Sequence, residues 1–471
     1  MFVDELAIAL IGWLWVGTLS PAAAQSTAPT EQPASRPPYQ ALRYEEDWSA
    51  LRDPSRRTDF WDPVKFVELN DGGWYVSLGG EGRIRYEALR NAAFGSGPQD
   101  GNGYVLQRYL AHADLHAGPH ARLFTEVQSG LESGRTGGPR PTDEDRLEFH
   151  QAFVELSTGP SPRSFTLRIG RQEVGFGSGR LISASEGRNV RRSFDAVRPI
   201  VRLGSWTWNG LLAKLVAVEP GIFDDSQVPG HIFGGVGFIR TRGSGTDGTA
   251  AYYLMLRRHN AQFDQGTGRE VRHTLGSRTW GRWADADYNY EVIGQWGTFD
   301  GASIRAWALA TDTGYSFRWA RWPTRVGLRA DLTTGDRSHD DPALQTFNPL
   351  FPGTAYSGPV GLIGPANSAD MTPGVRVAVS NRVTLTIDHA WYLRHSVNDG
   401  VYGIAVNLVR PGDDSRARDV GRQLTVQADL RVDKHLTLTI MSTTFAAGRF
   451  LRETPPGEDV AYFAASSTYR F

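Results

Sequence analysis

The chain has 471 residues and a formal net charge of -1, with 50 Lys+Arg set against 51 Asp+Glu. Lysine occurs only at Lys65, Lys214 and Lys434, so nearly every cation is an arginine, whose planar fork grips carboxylates and phosphates in two-pronged fashion. The balanced charge excludes the one-sided basic face of a nucleic-acid binder, and the absence of cysteine excludes disulfides and thiolate metal sites.

The N-terminus carries an apolar run from Leu6 to Val16 followed by small residues at Ala22 and Ala24. This pattern reads as a secretory signal peptide over residues 1–24, although its first residues include Asp4 and Glu5 and no basic side chain. Residues 25–72 read as a flexible leader, opening with a Pro/Ser/Thr/Gln-rich stretch poor in groups that pack. No later apolar run is long enough for a membrane helix.

From Trp74 the pattern alternates with period two, the signature of a strand with one apolar and one polar face. Trp74, Val76, Leu78, Ile84 and Tyr86 share one parity, and Ser77, Glu81, Arg83, Arg85 and Glu87 the other. The same alternation returns in "VTLTIDHAWYLR" and "QLTVQADLRV". Short joins, such as 381–382 and 433–434, alternate with long ones, such as 335–370 and 396–420, as the periplasmic turns and outer loops of a membrane barrel do. Counting "SIRAWALATDTGYSFR" as one strand predicts an all-β, transmembrane, antiparallel up-and-down barrel of about eighteen strands over 73–471. Its last strand, "VAYFAASSTYRF", puts Tyr469 and Phe471 on the outward face, an aromatic ending that resembles the signal read by bacterial outer-membrane assembly machinery.

If the apolar parity meets lipid, the other parity lines a lumen. The arginines assigned to that lumen are Arg83, Arg85, Arg108, Arg168, Arg272, Arg278, Arg305, Arg329, Arg376 and Arg394. Their acidic partners are Glu81, Asp114, Glu126, Glu155, Glu291 and Asp388. Such arginines either pair with neighbouring carboxylates and stiffen the wall, or stay free to meet an anionic solute.

The stretch "LRIGRQEVGFGSGRLISASEGRNVRRSFDAVR", together with "RHTLGSRTWG", "TTGDRSHDDPALQTFNPLFPGTAY" and the ending "STYRF", resembles the alginate export family of outer-membrane proteins. The resemblance implies a monomeric eighteen-stranded barrel in a bilayer with lipopolysaccharide, its pore occluded by loops and lined by arginine, passing an acidic polysaccharide. It carries pore arginines over to Arg168 and Arg171, and to Arg108. Three places depart from the alginate-specific members: Met441 and Thr443 stand where an arginine pair is expected, Gln151 replaces an arginine, and the last strand lacks an inward aspartate. The expected solute is therefore broader, anionic or polyhydroxylated, with a general diffusion porin for small solutes as the alternative.

Other motifs carry less. His112, His116 and His120 are spaced four apart, about 13 Å along a strand, too far to share one ion. "DADYNYE" lacks the glycine and terminal glutamate of a calcium loop, and "GFGSG" is followed by no helix, so its glycines suit a loop lying close against a wall. No serine and histidine form a pair that would make the chain a rim hydrolase. No metal, cofactor or catalytic residue is expected.

Overall fold

The computed structural model describes residues 37–70, 72–160, 162–243, 246–353 and 360–471; the expected signal peptide lies outside the described residues. The chain forms an eighteen-stranded closed antiparallel barrel. Its strands are β1 (Trp74–Arg90), β2 (Asp100–Ala117), β3 (Ala121–Ser133), β4 (Asp145–Ser157), β5 (Arg163–Gln172) and β6 (Phe194–Leu203). There follow β7 (Trp206–Leu215), β8 (Ile232–Arg242), β9 (Asp247–Phe263), β10 (Gly266–Trp283), β11 (Ala286–Phe299) and β12 (Ala302–Trp319). The wall is completed by β13 (Trp322–Thr333), β14 (Ser368–Ala378), β15 (Val383–Arg394), β16 (Asp419–Arg431), β17 (Leu436–Ala447) and β18 (Val460–Arg470). Each strand pairs with its chain neighbours, and β18 pairs back onto β1 from Glu81↔Arg470 to Arg90↔Ala461. Closure leaves no unpaired edge, which is the condition for a sheet to stand in hydrocarbon.

Side chains fall as the alternation predicts. Ile84, Leu275, Val292 and Ile440 are more than half exposed on the outer surface, where lipid rather than water receives them. The sequence neighbours Arg83, Thr274 and Glu291 of the first three are buried inside.

The two ends differ. One carries tight turns at 204–205, 284–285 and 320–321, together with the start of β1 and the end of β18; the other carries the long connections 173–193, 216–231, 334–367 and 395–418. The alternation of short and long joins has two exceptions, because β9–β10 and β11–β12 are joined on the long-loop side by 264–265 and 300–301.

The leader is not flexible throughout. The unit ending at Asp47 has a 3-10 turn at Arg43–Glu45 and an Arg43–Glu46 ion pair at 3.0 Å. Within the barrel's own unit, residues 48–66 pack at the periplasmic rim and bury Trp48, Leu51 and Phe66. Asp62, at the start of the single helical turn Asp62–Lys65, accepts from the backbone N–H groups of Thr58 and Asp59, both at 2.8 Å, and so fixes the segment that leads into it. Phe66 stacks on Tyr75 of β1 at 4.6 Å, and Trp61 stacks on Phe471 at 4.3 Å. Composition misses this because four spaced apolar residues are enough once a rim exists to cover them.

Candidate functional site

The arginine-rich connection 173–193 runs inward and crosses the lumen. At its start Glu173 lies 2.8 Å from His150 and accepts two hydrogen bonds from Arg191, at 2.5 and 2.7 Å. Burial pushes the Glu173 carboxyl up, but Arg191 and His150 outweigh it and hold the group below the usual carboxylate range. In the middle, the carbonyls of Glu186 and Arg188 accept from Arg108 at 3.0 and 2.8 Å, and that of Arg188 also from Arg83 at 2.7 Å. Asn189 donates to the carbonyls of Gln107, Leu131 and Asp143. On the opposite side Arg180 pairs with Asp331 of β13, and Ser178 donates to Glu291 of β11 at 2.9 Å. Gly177 and Gly179, at φ +64° and +78°, take left-handed conformations that a side chain would strain.

A second inward connection, 334–367, packs on the first. The backbone N–H of Ser183 donates to the Phe351 carbonyl at 3.0 Å, and Arg192 reaches the same carbonyl at 2.7 Å. Phe351 meets Phe233 and Phe194 edge-on at 5.0 and 5.2 Å, in an apolar cluster with Val174, Ile182 and Phe347. The inward residues Ala306, Ala308 and Ala310 of β12 are small, and leave room inside the wall for this packing. One side of the barrel is thus filled.

The expected lumen arginines divide into four groups. Arg83, Arg108, Arg168, Arg272 and Arg394 are inward but buried and held by the protein. Arg108 pairs with Glu81 at 2.5 Å, Arg168 with Glu155 at 2.6 Å and Arg272 with Glu270 at 2.5 Å. Arg394 spends its donors on the carbonyls of Ala417, Asp399, Gly412 and Ser415, and so ties down the 395–418 loop. Arg278 is inward, donates to Asn289 at 2.8 Å and lies over the Trp280 ring. Arg85 and Arg329 face the open passage, and Arg376 points inward nearer the periplasmic end.

Arg171 and Arg305 do not face the lumen. Arg171 stands three residues from inward Arg168, so the pleat turns it outward, where it donates to Asp195 at 3.0 Å. Arg305 shares its parity with exposed Trp307 and pairs across β11 with exposed Trp296.

The acidic residues named from the sequence stand on the inner parity of their strands. Arg122 bridges Asp114 and Glu155 at 2.6 and 3.0 Å, Gln151 donates to Glu126 at 2.9 Å, and Tyr252 donates to Glu291 at 2.7 Å. The three histidines have separate partners: His112 lies 3.7 Å from Glu126, His116 3.2 Å from Asp114, and His120 3.0 Å from the Ser157 carbonyl. Glu126, His150 and Glu173 approach one another closely enough for a metal ion, but Arg191 already holds both oxygens of Glu173.

Among the described residues, a cavity of about 430 Å³ lies between the inward loops and the wall from β13 to β18 and β1. The wall presents hydroxyls and amides, among them Thr372, Thr386, Gln423, Thr425, Gln427 and Ser466. Arg85 and Arg329 stand beside Glu186 and Asp388 in the same lining, so the charge balances. Met441 also lines it. The loop residues Arg180, Glu186 and Arg191 and this neutral wall went unassigned from sequence. Their only signals were the density of arginine in 167–198 and the Thr/Gln residues on inward parity.

A closed barrel with a lipid-facing exterior, inward-folded loops and a polar internal cavity has the build of an outer-membrane channel. The sequence matches the alginate export family over residues 74–464, and the chain belongs to that family. No curated protein matches the chain in sequence. Among solved structures it is similar to OccK11 (OpdR) of Pseudomonas aeruginosa, at 12% identity and a TM-score of 0.54, covering 86% of this chain and 99% of that one. A BenF-like porin from Pseudomonas fluorescens Pf-5 is similar at 10% identity and 0.53, with the same coverage. OpdK of Pseudomonas aeruginosa, solved with vanillate, gives 10% and 0.53, covering 84% of this chain and 98% of that one. These likenesses establish the shared fold.

Proposed function

We propose that this outer-membrane channel conducts polyhydroxylated solutes, acidic ones included, along the passage between the inward loops and the β13–β18 wall. The observation that carries the reading is the pairing of a hydroxyl and amide surface with the guanidinium groups of Arg85 and Arg329. Hydroxyls and amides exchange hydrogen bonds with sugar hydroxyls at little cost, and a guanidinium grips a carboxylate with two parallel donors. Arg85 also donates to Glu87 at 3.2 Å and to the Gly187 carbonyl at 2.8 Å, so the anionic preference rests on few groups and is modest.

Single-channel recording in planar bilayers tests this. Neutral and uronate oligosaccharides should both interrupt the current, the uronates for longer. Absence of any saturable block by either would favour a general diffusion porin, a reading supported by the balanced charge of the lining. The outward position of Tyr469 and Phe471 on the strand that closes the barrel supports their role as an assembly signal.

A further inference from the structure

We infer that the outside of the barrel carries a binding site for the phosphorylated disaccharide headgroup of an outer-leaflet glycolipid, in a groove that crosses β15–β18 and β1 at the long-loop end. Two arginines stand on the lipid-facing parity there. Arg422 of β16 is exposed, in phase with exposed Leu424, and pairs with outward Trp391 of β15. Arg90, the last residue of β1, is exposed and pairs with exposed Ala461 of β18. Among the described residues, neither guanidinium has a hydrogen bond, an ion pair or a ring partner, unlike the buried arginines of the lumen. An outward arginine is costly at the bilayer midplane and nearly free at the interface, so this row of residues lies at headgroup height.

The groove has a volume of about 860 Å³ and is lined between the two arginines by small side chains, Thr444 and Ala446 of β17 and Ala461 of β18. Arg422 and Arg90 are three strand spacings apart, roughly 14 Å at about 4.8 Å each, which suits a disaccharide with a phosphate at each end. Each guanidinium can grip a phosphate with two parallel donors.

The rest of the lining selects for sugar and for acyl chains. Exposed Glu458 and Asp459 stand in the same groove, with Asp459 3.5 Å from Arg452. Carboxylates would repel a bare phosphate but accept hydrogen bonds from sugar hydroxyls. Leu424 and Phe463, two residues closer to the membrane centre than Arg422 and Ala461, are exposed and offer acyl chains an apolar wall. Trp391, stacked on His389 at 4.1 Å, supplies the amphipathic ring typical of the interface. Phosphate donors, hydroxyl acceptors and an apolar wall thus follow one another down the outer surface in the order of a phosphorylated glycolipid's own parts.

The test is native mass spectrometry of the full chain, refolded in detergent and titrated with bisphosphorylated lipid A. The expected result is a lipid A retained in the presence of equimolar phosphatidylglycerol, with affinity lowered about tenfold or more in R90Q/R422Q. Lipid A lacking one phosphate should bind more weakly than the bisphosphorylated form, and R382Q, changed at a periplasmic turn, should bind as the native chain does. The single variants R90Q and R422Q, each changed at one exposed position, keep the test decisive if the double variant misfolds. Unchanged affinity in R90Q/R422Q and both single variants, displacement of lipid A by equimolar phosphatidylglycerol, or inorganic phosphate bound as tightly as lipid A would each overturn the site.

Discussion

Arg108 on β2 and Glu186 at the middle of the lumen-crossing loop meet at 3.1 Å, and the same guanidinium holds Glu81 at 2.5 Å. Wall and loop therefore share one buried charge network, to which Arg470 of β18 adds a contact with Glu81 at 2.8 Å. Replacing Arg108 by methionine leaves Glu81 with Arg470 and leaves the Glu186 and Arg188 carbonyls with Arg83 alone as side-chain donor. Breaking such a pair should cost roughly 3–5 kcal/mol. The variant should unfold at lower denaturant and conduct more, noisier current; conductance equal to that of the native channel would mean the loop is held by other contacts.

Arg85 and Arg329 are the guanidinium groups in the passage lining, beside Glu186 and Asp388. The substitution R85Q or R329Q leaves negative charge in excess and should move the reversal potential in a salt gradient toward cation selectivity, while D388N should move it the other way. Opposite displacements identify this passage as the conducting path. Three unchanged potentials would place the current elsewhere.

Trp61 stacks on Phe471 at 4.3 Å and its indole N–H donates to the Tyr469 hydroxyl at 2.8 Å. The aromatic pair contributes about 0.5–1.5 kcal/mol beyond its buried area, and the hydrogen bond about 1 kcal/mol more. W61A should therefore lower the melting temperature by several degrees and free residues 48–66 for proteolysis, with the barrel intact. Unchanged protection of that segment would show that Phe66 and Lys65 suffice to hold it.

Asp399 ties two outer loops together, accepting from Thr346 and Tyr402, both at 2.6 Å, and from the backbone of Asp336 at 2.8 Å. Burial, with nearby Asp264 adding to it, pushes its pKa up to about 6 from an ordinary 3.8, against those hydrogen bonds. The folded state thus holds a proton between about pH 4 and 6 that the unfolded chain has lost, so this group's contribution falls as pH rises through that window. Hydrogen exchange of the 334–367 and 395–418 loops should accelerate from pH 4 to 6 beyond the intrinsic rate, and D399N should remove that extra dependence. An identical profile in D399N would assign it to Asp264 or Asp336.

Much of the lumen was legible in sequence because inward and outward positions follow from a two-residue repeat. The two misplaced arginines break that rule on their own terms: Arg171 is an odd number of residues from Arg168, and Arg305 is in phase with Trp307. Partner choice was not legible. Arg394 and Arg85 are both inward, yet Arg394 is buried among carbonyls of the loop that follows it, whereas Arg85 gives one donor to the Gly187 carbonyl, 102 residues away, and still lines the cavity.

What the sequence by itself determined was a strand-built wall, its inner and outer faces, and its ending on an outward aromatic, since these depend on the geometry of a few consecutive residues. Tertiary structure alone decided that 173–193 and 334–367 turn inward, that the apolar cluster around Phe351 fills one side, and that a hydroxyl-rich passage survives on the other. Those outcomes require groups more than a hundred residues apart, such as Arg83 and Arg188 or Arg180 and Asp331, to find one another inside a closed tube. No local pattern encodes that meeting.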